Sequence, residues 1–310
     1  MSLTLPVGGY APRETSHGAG LERFRAVVAE ETGGEVRLPV IWNILDLGRP
    51  VTDLFEMVEA GEMFMCYFST SYQGHRVPEL NLIEVPFMFD DLESAHASLD
   101  GPLGRVLTES VRRSTGFEML GYWDNGFRHL TNRLRPVRRP ADVVGMTIRL
   151  QPNRFHEEMI RGWGAVPVAV ELQRGIELIS TGGVDAQENP LANTVAYGVD
   201  QVHRFVTITG HLYGARGLFA NRRIFGSLSA DVRNVVTAAA ASAIAHQRRL
   251  AAEAEAGLRL QLEAAGLDFV DLTEGERAEF VEASRPAIEL ARRDLGDDLF
   301  SLAKTARGAV

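Results

Sequence analysis

"SADVRNVVTAAAASAIAHQRRLAAEAEAGLRLQLEAAG" (229–266) is the stretch that decides the fold. Alanine, leucine, glutamate and arginine dominate it, all strong helix formers, and no proline interrupts it. The pattern predicts one helix from roughly Ser229 to Ala265. At 1.5 Å per residue such a helix spans about 50 Å, longer than a small lobe is wide. A soluble helix of that length is expected to ride across two packed units. Gly257 lies inside it and costs about 1 kcal/mol relative to alanine, which marks a bend or a close contact.

The rest of the chain agrees with two units. Its 310 residues are too many for one ordinary core. Apolar residues make up 45% and charged residues 24%, the balance of a globular chain rather than a disordered one. Lys plus Arg number 32 against 41 Asp plus Glu, a net charge of -9, which offers no general attraction for nucleic acid. The basic run "RLRPVRRP" (133–140) reads as a solvated surface segment. The single cysteine, Cys66, sits in the apolar run "EMFMCYF" and reads as a small core residue rather than a nucleophile or ligand. No stretch approaches the ~20 apolar residues of a membrane span. "MSLTLPVG" lacks the basic and apolar regions of a leader, as expected for a cytosolic protein or for the mature form of an exported one.

Strand and helix signals alternate along the chain. "LTLPVG" reads as a strand, and "GLERFRAVVAEETGG" as a helix stopping at Gly33-Gly34. "EVRLPVIW" alternates like a strand, and "TDLFEMVEAG" is a short helix capped by Thr52 and ended by Gly61. "EMFMCYF" and "LNLIEVPFMF" are expected as buried strands, followed by helix over "LESAHASLDGPLGRVLTESVRRSTG" and a strand at "FEMLGYW". A second α/β unit follows, with strands at "FRHLTN", "GMTIRL", "AVPVAV", "VHRFVTITG" and "GARGLFAN". Its helices are "NRFHEEMIRGWG" and "ELQRGIELISTGG". Strands spaced by helices indicate an α/β class with a mostly parallel sheet covered on both faces. "VDAQENPLANT" (184–194) is a polar corner, where a turn is expected after Gly182.

Catalytic signatures are missing: no G-x-S-x-G, no H-E-x-x-H, no G-x-x-x-x-G-K-[ST]. "HEE" (156–158) is a weak metal candidate, because His156 and Glu157 point to different sides of a helix, and a solvated face is the expected reading. His17, His75, His129 and His211 are scattered. Arg149 is different. It ends "VVGMTIR", an otherwise apolar strand, at the edge where open α/β sheets bind ligands. A guanidinium buried there needs a carboxylate partner, either internal or brought by a ligand. Arg128 in "WDNGFRHLTN" raises the same question, with nearby Asp124 as its expected internal partner.

Taken in order, "GYWDNGFRHLTNRLRPVRRPADVVGMTIRL" (121–150), "WGAVPVAVELQRGIELISTGGVDAQENP" (163–190) and "ANRRIFGSLSADVRNVVTAAAASA" (220–243) resemble the DctP family, the extracytoplasmic solute-binding proteins of TRAP transporters. "EETGGEVRLPVIWNILDLGRPVTDLFEMVEAGEMFM" and "LIEVPFMFDDLESA" extend the likeness through the N-terminal half. The resemblance implies a two-lobed periplasmic-binding-protein-like fold with hinge strands, a long helix spanning both lobes and ligand in the cleft between them. Lobe I is expected from 1–125 plus roughly 215–254, and lobe II from 126–214 plus roughly 255–310, with crossings near Asn125 to Gly126 and near Gly214.

The resemblance also assigns site residues. Arg149 is the arginine expected to form a two-pronged pair with a substrate carboxylate, because its planar fork matches that group. Arg128 is the second arginine of the pattern, and Asn189 of the "ENP" corner presents an amide to the bound acid. Gln187 and Glu188 are expected to hold the turn. Lobe I is expected to add Arg13, Glu14 and Thr15, then Ser71 and Tyr72, and Arg216 where the chain recrosses. Trp42 and Asn43 stand where the family often has smaller residues, which suits a ligand other than a small dicarboxylate.

The function this implies is capture of an organic acid and its delivery to the membrane subunits of a TRAP transporter driven by an ion gradient. The alternatives are a ligand-sensing module and an enzyme acting on an organic acid; the missing nucleophile and base disfavour the enzyme. No cofactor, metal or nucleic-acid partner is expected. The resemblance places the protein in the periplasm, with the leader trimmed from this sequence. A monomer is expected, since no further helix follows "RRDLGDDLFSLAKTARGAV" to exchange with a second copy.

Overall fold

The computed structural model describes residues 3–305. Strands β1 (Leu3–Thr4) and β2 (Val7–Gly8) lead into helix α1 (Ser16–Glu31), followed by β3 (Val36–Arg37) and β4 (Val40–Ile41). Next come α2 (Asp53–Ala60), β5 (Met65–Ser69), α3 (Leu92–Asp100), α4 (Pro102–Ser114) and the long strand β6 (Phe117–Asn132). Then follow β7 (Thr147–Leu150), α5 (Arg154–Gly162), β8 (Val166–Ala169), α6 (Leu172–Ser180), β9 (Ala186–Asn189) and α7 (Leu191–Ala196). The chain continues through β10 (Phe205–Asn221), α8 (Arg222–Ser227), α9 (Ala230–Ala264), β11 (Asp268–Asp271), α10 (Glu274–Ala283), α11 (Arg285–Leu295) and α12 (Asp297–Thr305).

Two compact units result. The first comprises Met1–Thr70, Gly104–Asp124 and Ala215–Glu253; the second comprises Ser71–Leu103, Asn125–Gly214 and Ala254–Val310. Residues 71–103 therefore depart from the expectation of an unbroken lobe over 1–125. Their physical reason is packing: α3 lies against α12, and the 3-10 segment Pro78–Glu84 lies against α11 and α12. Ser71 and Tyr72 accordingly belong to the second unit and not the first.

In the first unit β2 pairs in parallel with β4 and β5, and β5 runs antiparallel to the end of β10, with Arg216 opposite Ser69. In the second unit β7 lies between β8 and β9, parallel to both, while β9 is antiparallel to β6. β11 adds in parallel to the start of β10. "FEMLGYW" and "FRHLTN" are thus one strand rather than two, as are "VHRFVTITG" and "GARGLFAN". Gly126, at φ 98, occupies a backbone conformation that few other residues tolerate, and it lies just after β6 enters the second unit.

Other departures follow from local chemistry. Pro39 cannot donate to a ladder, so "EVRLPVIW" becomes two short strands, β3 and β4. Pro78 starts a 3-10 helix over Pro78–Glu84, where a strand is expected from the apolar run. Phe87, directly after Pro86, has φ 55 and is the one non-glycine residue of positive φ in the described chain. Thr52 precedes α2 but its side chain makes no capping hydrogen bond.

The long helix forms as expected. Before Glu253 it buries Val236, Ala239, Ala240 and Ala243 in the first unit, and Leu262 joins Leu191, Val206 and Leu267 in a cluster of the second. Gly257 has no atom within 4 Å of the position its Cβ would take, so it marks no close contact. Gln247 is fully buried and clasps Asp124, accepting from its N–H and donating to its carbonyl, both at 2.9 Å. The first core gathers Phe24, Phe55, Phe64, Phe68, Phe117 and Phe219; the second centres on Ile148, Leu150, Met159, Ile160, Trp163 and Phe280. Cys66 is buried on β5, and burial pushes its thiol pKa up, which leaves it unreactive.

Candidate functional site

In the second unit the site grows from β7. Arg149 stands between Val168 of β8 and Gln187 of β9. It is 3% exposed, its Nη2 donates to the Val170 carbonyl at 3.0 Å, and its Nε has no hydrogen-bond partner. No carboxylate lies in ion-pair range of it among the described residues. Burial pushes its pKa down, Tyr72 and Glu188 oppose that shift, and Arg128 adds to it. The side chain is folded against α6 so closely that a Cβ on Gly175 would stand 2.3 Å from Nε. A desolvated cation in this state is the unusual feature of the unit, because a buried charge ordinarily carries its own counterion.

Arg128 is satisfied from within. Its Nη2 donates to Glu188 Oε1 at 2.8 Å and to the Glu188 carbonyl at 2.7 Å, and its Nε donates to Glu188 Oε2. The partner is Glu188 on β9, some sixty residues on, and not the expected Asp124. Burial works to raise the Glu188 pKa, but Arg128 and then His211 outweigh it and hold the carboxyl well below its usual range. His211 Nε2 stands 3.6 Å from Glu188 Oε2, its Nδ1 meets Thr209 Oγ1 at 2.6 Å, and the Trp163 ring approaches edge-on.

Residues 184–194 correct the expected turn. Ala186–Asn189 form a fully buried strand, β9, in which Glu188 faces Arg128 and its neighbours make an amide chain. Asn189 Nδ2 donates to Gln187 Oε1 at 3.4 Å, and Asn193 Nδ2 donates to Asn189 Oδ1 at 3.0 Å. The polarity of this stretch is thus that of a buried strand whose carboxylate pairs with a distant arginine and whose amides pair with one another. Tyr72, half-buried, hydrogen-bonds to Glu171 and lies close enough to Arg149 to favour its charge. Ser71 is buried beside it in sequence.

In the first unit Arg216 is 2% exposed, with its guanidinium 4.6 Å above the Tyr10 ring and 5.6 Å from that of Tyr67. The Tyr10 N–H donates to Tyr67 Oη at 3.1 Å, and the Ser69 N–H donates to Tyr10 Oη at 3.2 Å. His17 stacks on Tyr67 and meets the Asp124 carbonyl at 2.9 Å; burial, then Arg216, drives its pKa well down. The three residues after β2 separate. Arg13 is exposed, lying over Trp42 at 4.8 Å and 3.5 Å from Glu22; Glu14 is exposed; Thr15 caps α1, accepting from the Gly18 N–H. Asn43 likewise caps its own turn through Leu45.

One pair escapes the sequence reading. His156 is fully buried, not on a solvated face, and stands 3.2 Å from the equally buried Glu84. The signal is visible in retrospect: α5 buries Phe155, His156, Met159 and Ile160, an i, i+1, i+4, i+5 stripe. Glu157 points to the other side and pairs with Arg161. No group of three or more metal-ligating side chains occurs among the described residues.

A profile of bacterial extracellular solute-binding protein family 7, DctP, matches residues 7–294. The chain belongs to this family. Among relatives of this family 7 protein, a solute-binding protein of Verminephrobacter eiseniae is 31% identical over 275 residues, covering 88% of this chain and 80% of the relative. The 2,3-diketo-L-gulonate-binding periplasmic protein of Escherichia coli is 29% identical over 276 residues, covering 89% and 83%. A TRAP periplasmic solute-binding protein from Polaromonas, bound to D-erythronate, superposes with TM-score 0.90 at 27% identity, covering 97% of this chain and 98% of that one. The family 7 protein therefore has the α/β fold of TRAP solute-binding proteins, and its family serves transport by binding solutes. No helix of its described residues is long and apolar enough to cross a membrane.

Proposed function

We propose that this protein captures an organic acid in the periplasm through Arg149 and delivers it to the membrane subunits of a TRAP-type transporter. The observation that carries this reading is the state of Arg149: a buried guanidinium whose Nε has no hydrogen-bond partner and which has no carboxylate in ion-pair range among the described residues. A ligand carboxylate supplies the missing charge and both acceptors, in the two-pronged geometry that arginine favours. The acids named for the relatives, D-erythronate and 2,3-diketo-L-gulonate, support a carboxylate as the common handle. Asn189, Tyr72 and Ser71 are the polar neighbours proposed to meet the same ligand, with Arg128 fixed by Glu188 behind them. Arg216, Arg13, Glu14 and Thr15 are the first unit's candidates, of which Arg216 is the strongest because it is already desolvated. The protein acts in this reading as a monomeric carrier and transforms nothing.

The test is a thermal-shift screen of organic acids followed by calorimetric titration of Arg149→Ala and Arg149→Lys. Removing one side of a buried charge pair costs about 2–5 kcal/mol, roughly 30-fold to several thousand-fold in affinity. Lysine is expected to fail nearly as badly, because a point charge cannot reproduce the fork. The ligand-free Arg149→Ala protein is expected to melt no earlier than the parent, since an unpaired buried cation is gone. Near-parental affinity in folded Arg149→Ala would refute the assignment.

A further inference from the structure

One carboxylate stands near Arg149 without pairing with it. Glu171 is the N-cap of α6, but its side chain makes no capping hydrogen bond. It accepts instead from the hydroxyl of Tyr72, and it acts on Arg149 from beyond ion-pair range. The backbone holds it there. The carbonyl of the preceding Val170 accepts from Arg149 Nη2 at 3.0 Å, and the Glu171 carbonyl accepts from the Gly175 N–H at 2.8 Å. Gly175 is in turn the residue against which the guanidinium lies. Tyr72, Arg149 and Glu171 all belong to the second unit.

The charge of Glu171 is not spent on a neighbouring cation. Arg174, the cation nearest to it in sequence, pairs with Glu177 at 2.6 Å, and no cation stands in ion-pair range of Glu171 among the described residues. Unlike the buried Glu188 it is exposed, so a solute can reach it. Burial pushes its pKa up, while Tyr72 and then Arg149 pull it down. The three side chains differ in what they offer. Arg149 can only donate, an ionised carboxylate can only accept, and a tyrosine hydroxyl that has given its one proton can add only acceptor capacity. A ligand carboxylate satisfies the arginine. Whatever part of the ligand meets Glu171 and Tyr72 must then bring donors. A hydroxyl does so. A second carboxylate brings none and adds like charge, the kind of built-in repulsion by which a site rejects the wrong partner.

We propose that Glu171, oriented by Tyr72, determines the specificity of the Arg149 site, favouring an acid with one carboxylate and hydroxyls along its chain over a dicarboxylate. This role rests on the carboxylate reading of Arg149. A Glu171 that merely anchored Tyr72 would leave the choice between such acids untouched.

Matched acids that differ only at the end remote from the first carboxylate test it: D-erythronate against meso-tartrate, and D-galactonate against galactarate, with succinate beside them. In calorimetric titration the tighter-binding hydroxy monoacid is expected to exceed its matching diacid by about tenfold or more, the usual effect of a hydrogen bond to a charged group. Glu171→Gln keeps the shape and removes the charge, and is expected to cut that ratio by about tenfold. Tyr72→Phe is expected to cut it in the same direction, as the carboxylate loses its orientation. A parent protein that binds the diacid as tightly as the monoacid would overturn the proposal, a result that needs no variant to fold. So would an unchanged ratio in folded Glu171→Gln, or binding of succinate alone. If the acids that do bind still lose affinity in Arg149→Ala, the Arg149 reading survives and only the role of Glu171 falls. If no acid binds the parent at all, both fall together.

Discussion

Gly175→Ala adds one methyl group beneath Arg149. The new Cβ would stand 2.3 Å from Nε, 2.9 Å from Cζ and 3.0 Å from Cδ. Ordinary contact begins near 3.4 Å, so the guanidinium must retreat by about 1 Å. Hydrogen bonds of about 2.9 Å stretched by that amount fall outside bonding range. The expected cost in organic-acid affinity is therefore at the lower end of a broken charge pair, about 2 kcal/mol, or roughly 30-fold. The helix responds in the opposite sense, because alanine replaces glycine inside α6 at a gain of up to about 1 kcal/mol. Binding weakens while the ligand-free melting temperature holds or rises, a combination that general misfolding cannot produce. Calorimetric titration beside a melting curve measures both. A variant that binds within about threefold of the parent would show that Arg149 does not work from its observed position.

Three further outcomes are expected. Glu188→Ala strands Arg128 without its buried partner, at a cost of about 3–5 kcal/mol, read as a large fall in melting temperature; a shift worth less than about 1 kcal/mol would deny the bridge its role. His203 is neutral in the fold because burial, then Arg133, lowers its pKa to about 4. The unfolded chain takes up that proton below about 6.5, so stability is lost as pH falls from there toward 4, by at most about 3 kcal/mol. His203→Gln is expected to flatten that part of a stability-versus-pH curve, and an unchanged slope would contradict it. Gly257→Ala fills open space on α9 and is expected to stabilise by about 1 kcal/mol in denaturant titration, whereas a loss would reveal a constraint on the backbone there.

What the sequence discloses is what repeats locally. The long helix, the alternation of strands and helices, and the isolation of Arg149 on an apolar strand are all periodic or compositional facts. β9 escapes because "AQEN" carries no apolar alternation; Glu188 is tolerated in the interior chiefly through Arg128, whose position sixty residues earlier no local pattern records. The Glu84–His156 pair escapes for the same reason, each half looking like a solvated residue of its own segment. Residues 71–103 read as a continuation of the first lobe until their packing on α11 and α12 is known. Thr15 and Asn43 are polar loop residues of the kind that touch ligands, yet both are engaged in capping.

The way the chain is divided between the units governs the order in which it can fold. Neither unit is a contiguous stretch: the first needs Ala215–Glu253, and the second needs residues from Ala254 onward. β5 obtains its antiparallel neighbour only when Arg216–Ala220 has been made and brought back to it. A chain emerging residue by residue therefore holds one edge of β5 open until most of its length is available, and open strand edges invite association with other chains. Pairings so distant in sequence also slow folding, since a long loop must close before its contacts are gained. Slow compaction of this kind keeps a polypeptide threadable for longer after synthesis, whereas a fold assembled from successive local pieces would have closed already.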